Sequence, residues 1–385
     1  MRRKNIAASF AAMGVFAPGL ALATNGMIME GYGPIATAMG GAAMAYDNGT
    51  AAMANNPATL ALMKEAGRLD VMLGYVGPDV KTQPGIGTSS ADAFYMPAFG
   101  YVRKHGEVVY GAGIYGQGGM GTEYANGDMA QVGVGRVIFP LAWRVNPRLS
   151  LGGSVDVVWS GMDLVVDLDG NGSKDLNFKD GSDFTGKAKG YSLAAKLGFT
   201  YRLDEALSVG GVYQTAGNLP DLKGGGYKVT GFDMPAMLGL GFAWQASERL
   251  MTALDLKQVL WNDSMNTVTM HMPGGGAVPF RQDWENQTVV ALGLSYKISE
   301  SLTARAGYNY GKNPIPDDLV NYLWPATAEH HYTAGFGYAF DGHSQLNFAL
   351  SHVPEVSVTG TGMMNNGMRV EHSQTNWQLT YSYLF

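Results

Sequence analysis

Apolar and polar residues alternate along most of this chain. From Asn376 onward, Trp377, Leu379, Tyr381, Tyr383 and Phe385 take one set of positions, and Gln378, Thr380 and Ser382 the other. Side chains of an extended strand point to opposite faces with period two, so this segment predicts a strand with one apolar and one polar face. Rings crowd the apolar face and the strand ends on an aromatic residue, as the closing strand of a transmembrane barrel does. The alternation recurs upstream. Tyr191, Leu193, Ala195, Leu197, Phe199 and Tyr201 oppose Ser192, Lys196, Thr200 and Arg202, and Leu250, Thr252, Leu254 and Leu256 oppose Asp255 and Lys257. Leu302, Ala304, Ala306, Tyr308 and Tyr310 oppose Thr303, Arg305 and Asn309, and Tyr332 to Phe340 repeats the pattern against His331 and Thr333. A charge facing the middle of a bilayer costs about 2–4 kcal/mol. Lys196, Asp255, Lys257 and Arg305 are therefore expected to face a polar lumen.

The connectors form a second pattern. Short polar turns at 104–106, 146–147, 204–205, 247–248, 299–300 and 341–342 alternate with longer polar or Gly-rich stretches near 77–93, 117–131, 161–189, 216–231, 262–284, 311–328 and 354–368. Short turns on one side and long loops on the other distinguish the periplasmic and external ends of outer-membrane barrels. The fold predicted is an all-β membrane protein, an antiparallel transmembrane barrel of about fourteen strands with both barrel ends on the periplasmic side.

The amino-terminus changes the picture in two ways. Arg2, Arg3 and Lys4 precede an uncharged run that ends in Ala21-Leu22-Ala23, the pattern of a cleaved signal peptide over 1–23. No later run approaches about 18 apolar residues, and the absence of cysteine removes lipid anchoring and disulfides. Export with barrel strands implies a Gram-negative outer membrane, with membrane lipid and lipopolysaccharide as neighbours. The closing strand, ending in Phe385, is the expected signal for barrel-assembly machinery. Residues 24–65 lack two-fold alternation and are too apolar for a solvated tail, with Met27, Ile28, Met29, Ile35, Met39, Met44, Met53, Leu60 and Leu62. A barrel of this size cannot fill its interior with wall side chains alone. Residues 24–65 are thus predicted to plug the lumen of a barrel formed by 66–385. Charged residues make up 15% of the chain, below the roughly 25% usual in soluble domains. The net charge of −6 offers no basic stripe, which argues against nucleic acid as a partner.

Asn25-Gly26, Gly31-Tyr32-Gly33-Pro34, Met39-Gly40-Gly41-Ala42 and Asn56-Pro57-Ala58 open the mature chain. Asp233-Met234-Pro235, Gly307-Tyr308-Asn309-Tyr310, Asn313-Pro314-Ile315-Pro316-Asp317, Glu329-His330-His331-Tyr332 and Ser351-His352 follow in order. Together these resemble the FadL-type transporters, which include the long-chain fatty acid channel and TodX-like relatives for aromatic hydrocarbons. The resemblance implies a fourteen-stranded, monomeric barrel with an amino-terminal hatch carrying Asn56, Pro57 and Ala58. It further implies passive uptake of hydrophobic small molecules and their sideways delivery through the wall beside the third strand. That strand, read as Glu107 to Gln117, holds Gly111, Gly113 and Gly116, and glycine permits a kink or bulge. Apolar residues of the third and fourth external loops, Leu164, Val166, Leu168, Phe178, Leu219 and Leu222, are candidates to receive ligand, or else only pack the loops together. Lys196, Lys257 and Arg305 are candidate partners for a ligand carboxylate, should the ligand have one.

Other chemistry is weaker. Asp167, Asp169, Asn171 and Asp175 match the first half of a calcium loop, but the twelfth position is Phe178 rather than a bidentate Glu. Gly111-x-Gly113-x-x-Gly116 follows a strand without a helix after it, so it does not read as a dinucleotide site. Adjacent His330 and His331 point to opposite faces. No cofactor is implied, and no hydrolase constellation stands out. A barrel enzyme and a general porin are the alternative function classes.

Overall fold

The computed structural model describes residues 25–182, 185–219 and 221–385. The expected signal peptide lies outside the described residues. Fourteen long strands build the wall. They are β1 (Gly67–Gln83), β2 (Phe94–His105), β3 (Val108–Glu123), β4 (Met129–Arg144), β5 (Leu149–Val166), β6 (Ala188–Arg202) and β7 (Leu207–Gln214). The second half comprises β8 (Met237–Gln245), β9 (Leu250–Val259), β10 (Gln287–Lys297), β11 (Leu302–Gly311), β12 (His330–Ala339), β13 (Ser344–Thr359) and β14 (Arg369–Leu384). Each pairs antiparallel with the next in sequence. β14 returns to β1 in register from Arg68↔Leu384 to Gln83↔Arg369, which closes the cylinder. Closure pairs the first strand with the last, so among the described residues neither of them is left as an open edge in lipid.

Alternation sorts the side chains as expected. Leu379, Tyr381 and Tyr383 face outward, while Gln378, Thr380 and Ser382 are buried in the lumen. Tyr110, Trp143, Trp244, Tyr296, Tyr338 and Tyr383 stand exposed near the short turns, forming the ring girdle of a membrane interface.

The wall is taller on one side than the connectors suggest. The first parts of the stretches near 77–93 and 354–368, and most of 117–131, belong to the ladders of β1, β13, β3 and β4 rather than to loops. A transmembrane strand needs only about 9–11 residues, so the rest of these strands projects beyond the membrane. There an apolar outward face is unnecessary, and alternation alone underestimates their length. Six short strands in the loops extend the sheet further: Gly87–Thr88, Leu176–Phe178, Leu222–Gly224, Tyr227–Thr230, Thr267–His271 and Ala277–Arg281.

Residues 25–65 lie inside the cylinder. They contain α1 (Pro34–Ala38), begun by proline at its first position, and two 3₁₀ turns, Thr50–Met53 and Pro57–Leu62. Between α1 and the first 3₁₀ turn, residues 42–49 run as bends and irregular chain without helix. The segment is tied to the wall on all sides. Asp255 accepts from the Ala43 and Met44 amides, Lys257 donates to Gly41 O at 2.7 Å, and Asn309 donates to Gly40 O at 2.8 Å. Arg68 forks onto Asp47, and Asp70 accepts from the Thr50 amide and hydroxyl. Wall glycines provide room: a Cβ at Gly152 would run into Ala58, and one at Gly198 into the Asn56 side chain.

Candidate functional site

The β2–β3 ladder is incomplete. It runs from His105↔Val108 to Phe99↔Ile114 and stops, although both strands continue. At the same height the β3–β4 register shifts by one residue between Gly116 and Gly118, which leaves Gln117 as a bulge. β3 thus swings away from β2 and exposes backbone groups that cannot be left unpaired in a membrane. The hatch supplies their partners. Gly119 N–H donates to Met27 O, Met29 N–H donates to Gln117 O, and Ile28 bridges to Gly118. Tyr32 adds its hydroxyl to Gln117 O at 2.9 Å. A Cβ at Gly118 would collide with Met27 O, so this close approach requires glycine.

Between the parted strands lies a chamber of about 330 Å³. Met27 and Met29 of the hatch, Phe94 and Met96 of β2, Met120 of β3 and Trp159 of β5 form its walls, and Pro325 and Ala326 of the sixth external loop roof it. Tyr95 and Ile114 also border it and are 50% and 42% exposed on the outer surface, so the chamber reaches the lipid side of the wall. The Met96 side chain lies over Gly116, and the Phe94 ring over Gly121. Among the described lining residues there is no lysine or arginine, and the one carboxylate residue is Glu30.

A chain of buried charges borders this region. Arg136 donates Nε to the Gln117 side-chain oxygen at 2.6 Å and Nη1 to Asp156 at 2.9 Å. Lys196 reaches the same Asp156 oxygen at 3.1 Å and Met53 O of the hatch at 3.5 Å. Arg136 and Asp156 escaped the sequence reading, though both are lone charges within apolar strands, the signal that singled out Lys196.

The remaining expected residues fall into four groups. Asn56 caps the second 3₁₀ turn by accepting from the Ala58 amide, and donates to Met44 O at 2.7 Å and Phe199 O at 3.1 Å. Gly111 and Gly113 lie within the intact β2–β3 ladder, opposite Val102 and Gly100, so only Gly116 of the three borders the gap. Leu164, Val166, Phe178, Leu219 and Leu222 are buried together under the loops, whereas Leu168 is exposed. Lys196 and Lys257 are engaged by Asp156 and the hatch, and Arg305 donates to Asn347 at 3.0 Å.

The external loops converge on Asp128. It accepts from the Tyr322 hydroxyl, the Lys174 ammonium, the Asp167 amide and the Asn126 side chain. Burial would raise this carboxyl, but the Lys174, Asp167 and Tyr322 hydrogen bonds outweigh it and hold it below the usual carboxylate range. Tyr124 and Thr122 donate to Tyr322 O and Leu323 O, which ties the strap 321–326 across the chamber. Asp167, Asp169 and Asp175 bring one oxygen each within 4.8 Å of one another, but the loop amides of Gly170, Gly172, Asn171 and Leu168 already donate to them.

A closed barrel with its lumen stoppered by its own leading segment defines a plugged outer-membrane channel. The profile of the family described as outer membrane protein transport protein (OMPP1/FadL/TodX) matches residues 8–383. The chain belongs to this family, which places it in the outer membrane. It is similar to the toluene transporter TodX of Pseudomonas putida, with 28% identity and a TM-score of 0.80 over 92% of this chain and 99% of that one. The toluene transporter TbuX of Ralstonia pickettii gives 25% identity and 0.75 over 92% and 99%. A FadL homologue of Pseudomonas aeruginosa shares the fold, with 17% identity and 0.78 over 94% and 100%. Over 100 residues, 26% of this chain, it is 41% identical to an uncharacterized protein of Chlorobium limicola from the 5′ region of the phosphoenolpyruvate carboxykinase gene. The match spans about half, 49%, of that curated relative.

Proposed function

We propose that this protein is a passive channel for neutral hydrophobic small molecules, aromatic hydrocarbons above all, which it gates with its hatch and releases sideways into the outer membrane. The observation that carries this reading is the apolar chamber that opens to the lipid side between β2 and β3 and is closed below by the Met27–Met29 arm. The family includes channels for fatty acids and for hydrocarbons, and two relatives are toluene transporters. A carboxylate entering this chamber would lose its hydration and meet no lysine or arginine among the described lining residues, an expensive exchange. An alkylbenzene gains about 25 cal/mol for each Å² it buries. The bilayer core offers the same gain, so cargo leaves the chamber without an energy source. Methionine walls adapt to different shapes.

The chain begins with the features of a cleaved leader, residues 24–65 serve as the hatch, and 66–385 as the barrel. The outward rings meet lipid and lipopolysaccharide, the closing strand engages barrel-assembly machinery, and one copy suffices because the described strands already close. Leu168 and the strap 321–326 are the surfaces from which cargo reaches the chamber.

Gly116→Leu tests the lateral route, because the new side chain would fill the space under Met96. Uptake of a radiolabelled alkylbenzene by cells should fall to the level of channel-free cells, with surface amount and heat-modifiable migration unchanged. Normal uptake by this variant would overturn sideways release.

A further inference from the structure

The bulge at Gln117 is the feature that parts β3 from β2, and its side chain is buried rather than free. A bulge leaves an extra residue outside the ladder, and it persists only where something else satisfies that residue. Here the Gln117 carbonyl oxygen serves the hatch arm, while its side-chain oxygen accepts from Arg136 Nε. Arg136 is held in turn by Asp156, which Lys196 and Ser154 also engage, and Lys196 reaches Met53 O at the far end of the hatch. One connected set of buried groups therefore touches the hatch arm, the bulge and the Thr50–Met53 turn.

Resting on the lateral-release reading, we propose that Arg136 and Gln117 are positioning residues of the wall opening. Arg136, anchored on Asp156, holds Gln117 inward, fixes the bulge, and so presents the β3 backbone to the hatch arm. The guanidinium is suited to this task because one rigid fork serves two acceptors at fixed angles, 2.6 Å from Gln117 and 2.9 Å from Asp156. A lysine would keep the charge beside Asp156 but lacks that fork. If the bulge relaxes, the outer half of β3 shifts by one residue, its side chains exchange faces, and the backbone groups that hold Met27 to Met29 turn away.

Arg136→Lys and Gln117→Leu separate this role from simple charge balance. Both should lower alkylbenzene uptake roughly tenfold or more, the scale set by loss of a hydrogen bond to a charged group. Amide exchange should quicken together in residues 115–121 and in the arm 25–32, while 33–65 keeps its protection. Gln117→Leu leaves every charge in place, so it stays informative if Arg136→Lys fails to assemble. Charge balance alone predicts that both variants behave like the parent protein, and that result would overturn the proposal. Gly116→Leu run alongside separates the two ideas. If it blocks uptake while Arg136→Lys and Gln117→Leu transport normally, the positioning role is wrong and lateral release stands. If Gly116→Leu transports normally, lateral release itself fails.

Discussion

Replacing Asn56 with alanine should loosen the hatch and leave the cylinder intact. Asn56 is fully buried and uses its whole amide: Nδ2 donates to Met44 O and Phe199 O, and Oδ1 accepts from the Ala58 N–H. Alanine removes all three bonds and strips the buried Met44 carbonyl and Ala58 amide of these partners. Each buried group left unpaired costs about 1–3 kcal/mol, so hatch docking should weaken by about 2–6 kcal/mol. The loss falls on the docked segment, because the β5–β6 and β6–β7 ladders around Phe199 do not depend on the Asn56 side chain. Hydrogen exchange followed by mass spectrometry reads this directly. Amides of 42–62 should exchange roughly thirtyfold faster or more, while β1 and β14 keep their protection. Asn56→Asp should be worse than alanine, because it sets a carboxylate oxygen against two carbonyls. Unchanged exchange in the hatch, or equal loss of protection in hatch and wall, would refute the idea that this side chain holds the stopper.

Other consequences are testable with less apparatus. Gly198→Val should displace the hatch in the same way, because its Cβ would meet the Asn56 side chain, and chymotrypsin should then cleave at Tyr46 or Leu60, both buried in the docked hatch, in the assembled barrel. Asp128 has a folded pKa below its unfolded value, so its stabilising contribution is complete above about 3.9 and is lost as pH falls toward the lower folded value. A nitroxide on Ala326→Cys, in a chain with no native cysteine, should be immobile at neutral pH, loosen in acid below that range, and be mobile throughout in Asp128→Asn. A probe that stays immobile in Asp128→Asn would show that the strap does not depend on this carboxylate. Leu292→Arg faces lipid in the middle of β10 and should reduce barrel stability by about 2–4 kcal/mol in urea refolding into bilayers. A loss near zero would place that position away from the hydrocarbon.

The wall was readable because alternation has one physical cause, the difference between lipid and lumen, and it repeats in every strand. Strand ends were less readable, since β1, β3 and β13 continue past the membrane where that difference vanishes. The hatch was recognisable by apolar content without period, but its contacts were not: Gly152 and Gly198 look like any other strand glycines until Ala58 and Asn56 are seen against them. The opening was half legible. Glycines pointed to β3, yet Gly111 and Gly113 pair normally, and the strands part beside the Gln117 bulge, whose side chain meets Arg136 only through the register between strands. The loop residues Leu164 to Leu222 illustrate a general ambiguity, because a greasy binding surface and a greasy packing surface have the same composition. Here five of the six are buried against one another.

Uptake by a channel-deficient host expressing this protein tests the central claim most directly, with a labelled alkylbenzene and a labelled long-chain fatty acid compared side by side. The alkylbenzene should accumulate well above the empty host and the fatty acid should not, with Gly116→Leu abolishing the difference. Preferential accumulation of the fatty acid, or accumulation of either compound that Gly116→Leu leaves untouched, would contradict a neutral cargo leaving through the wall.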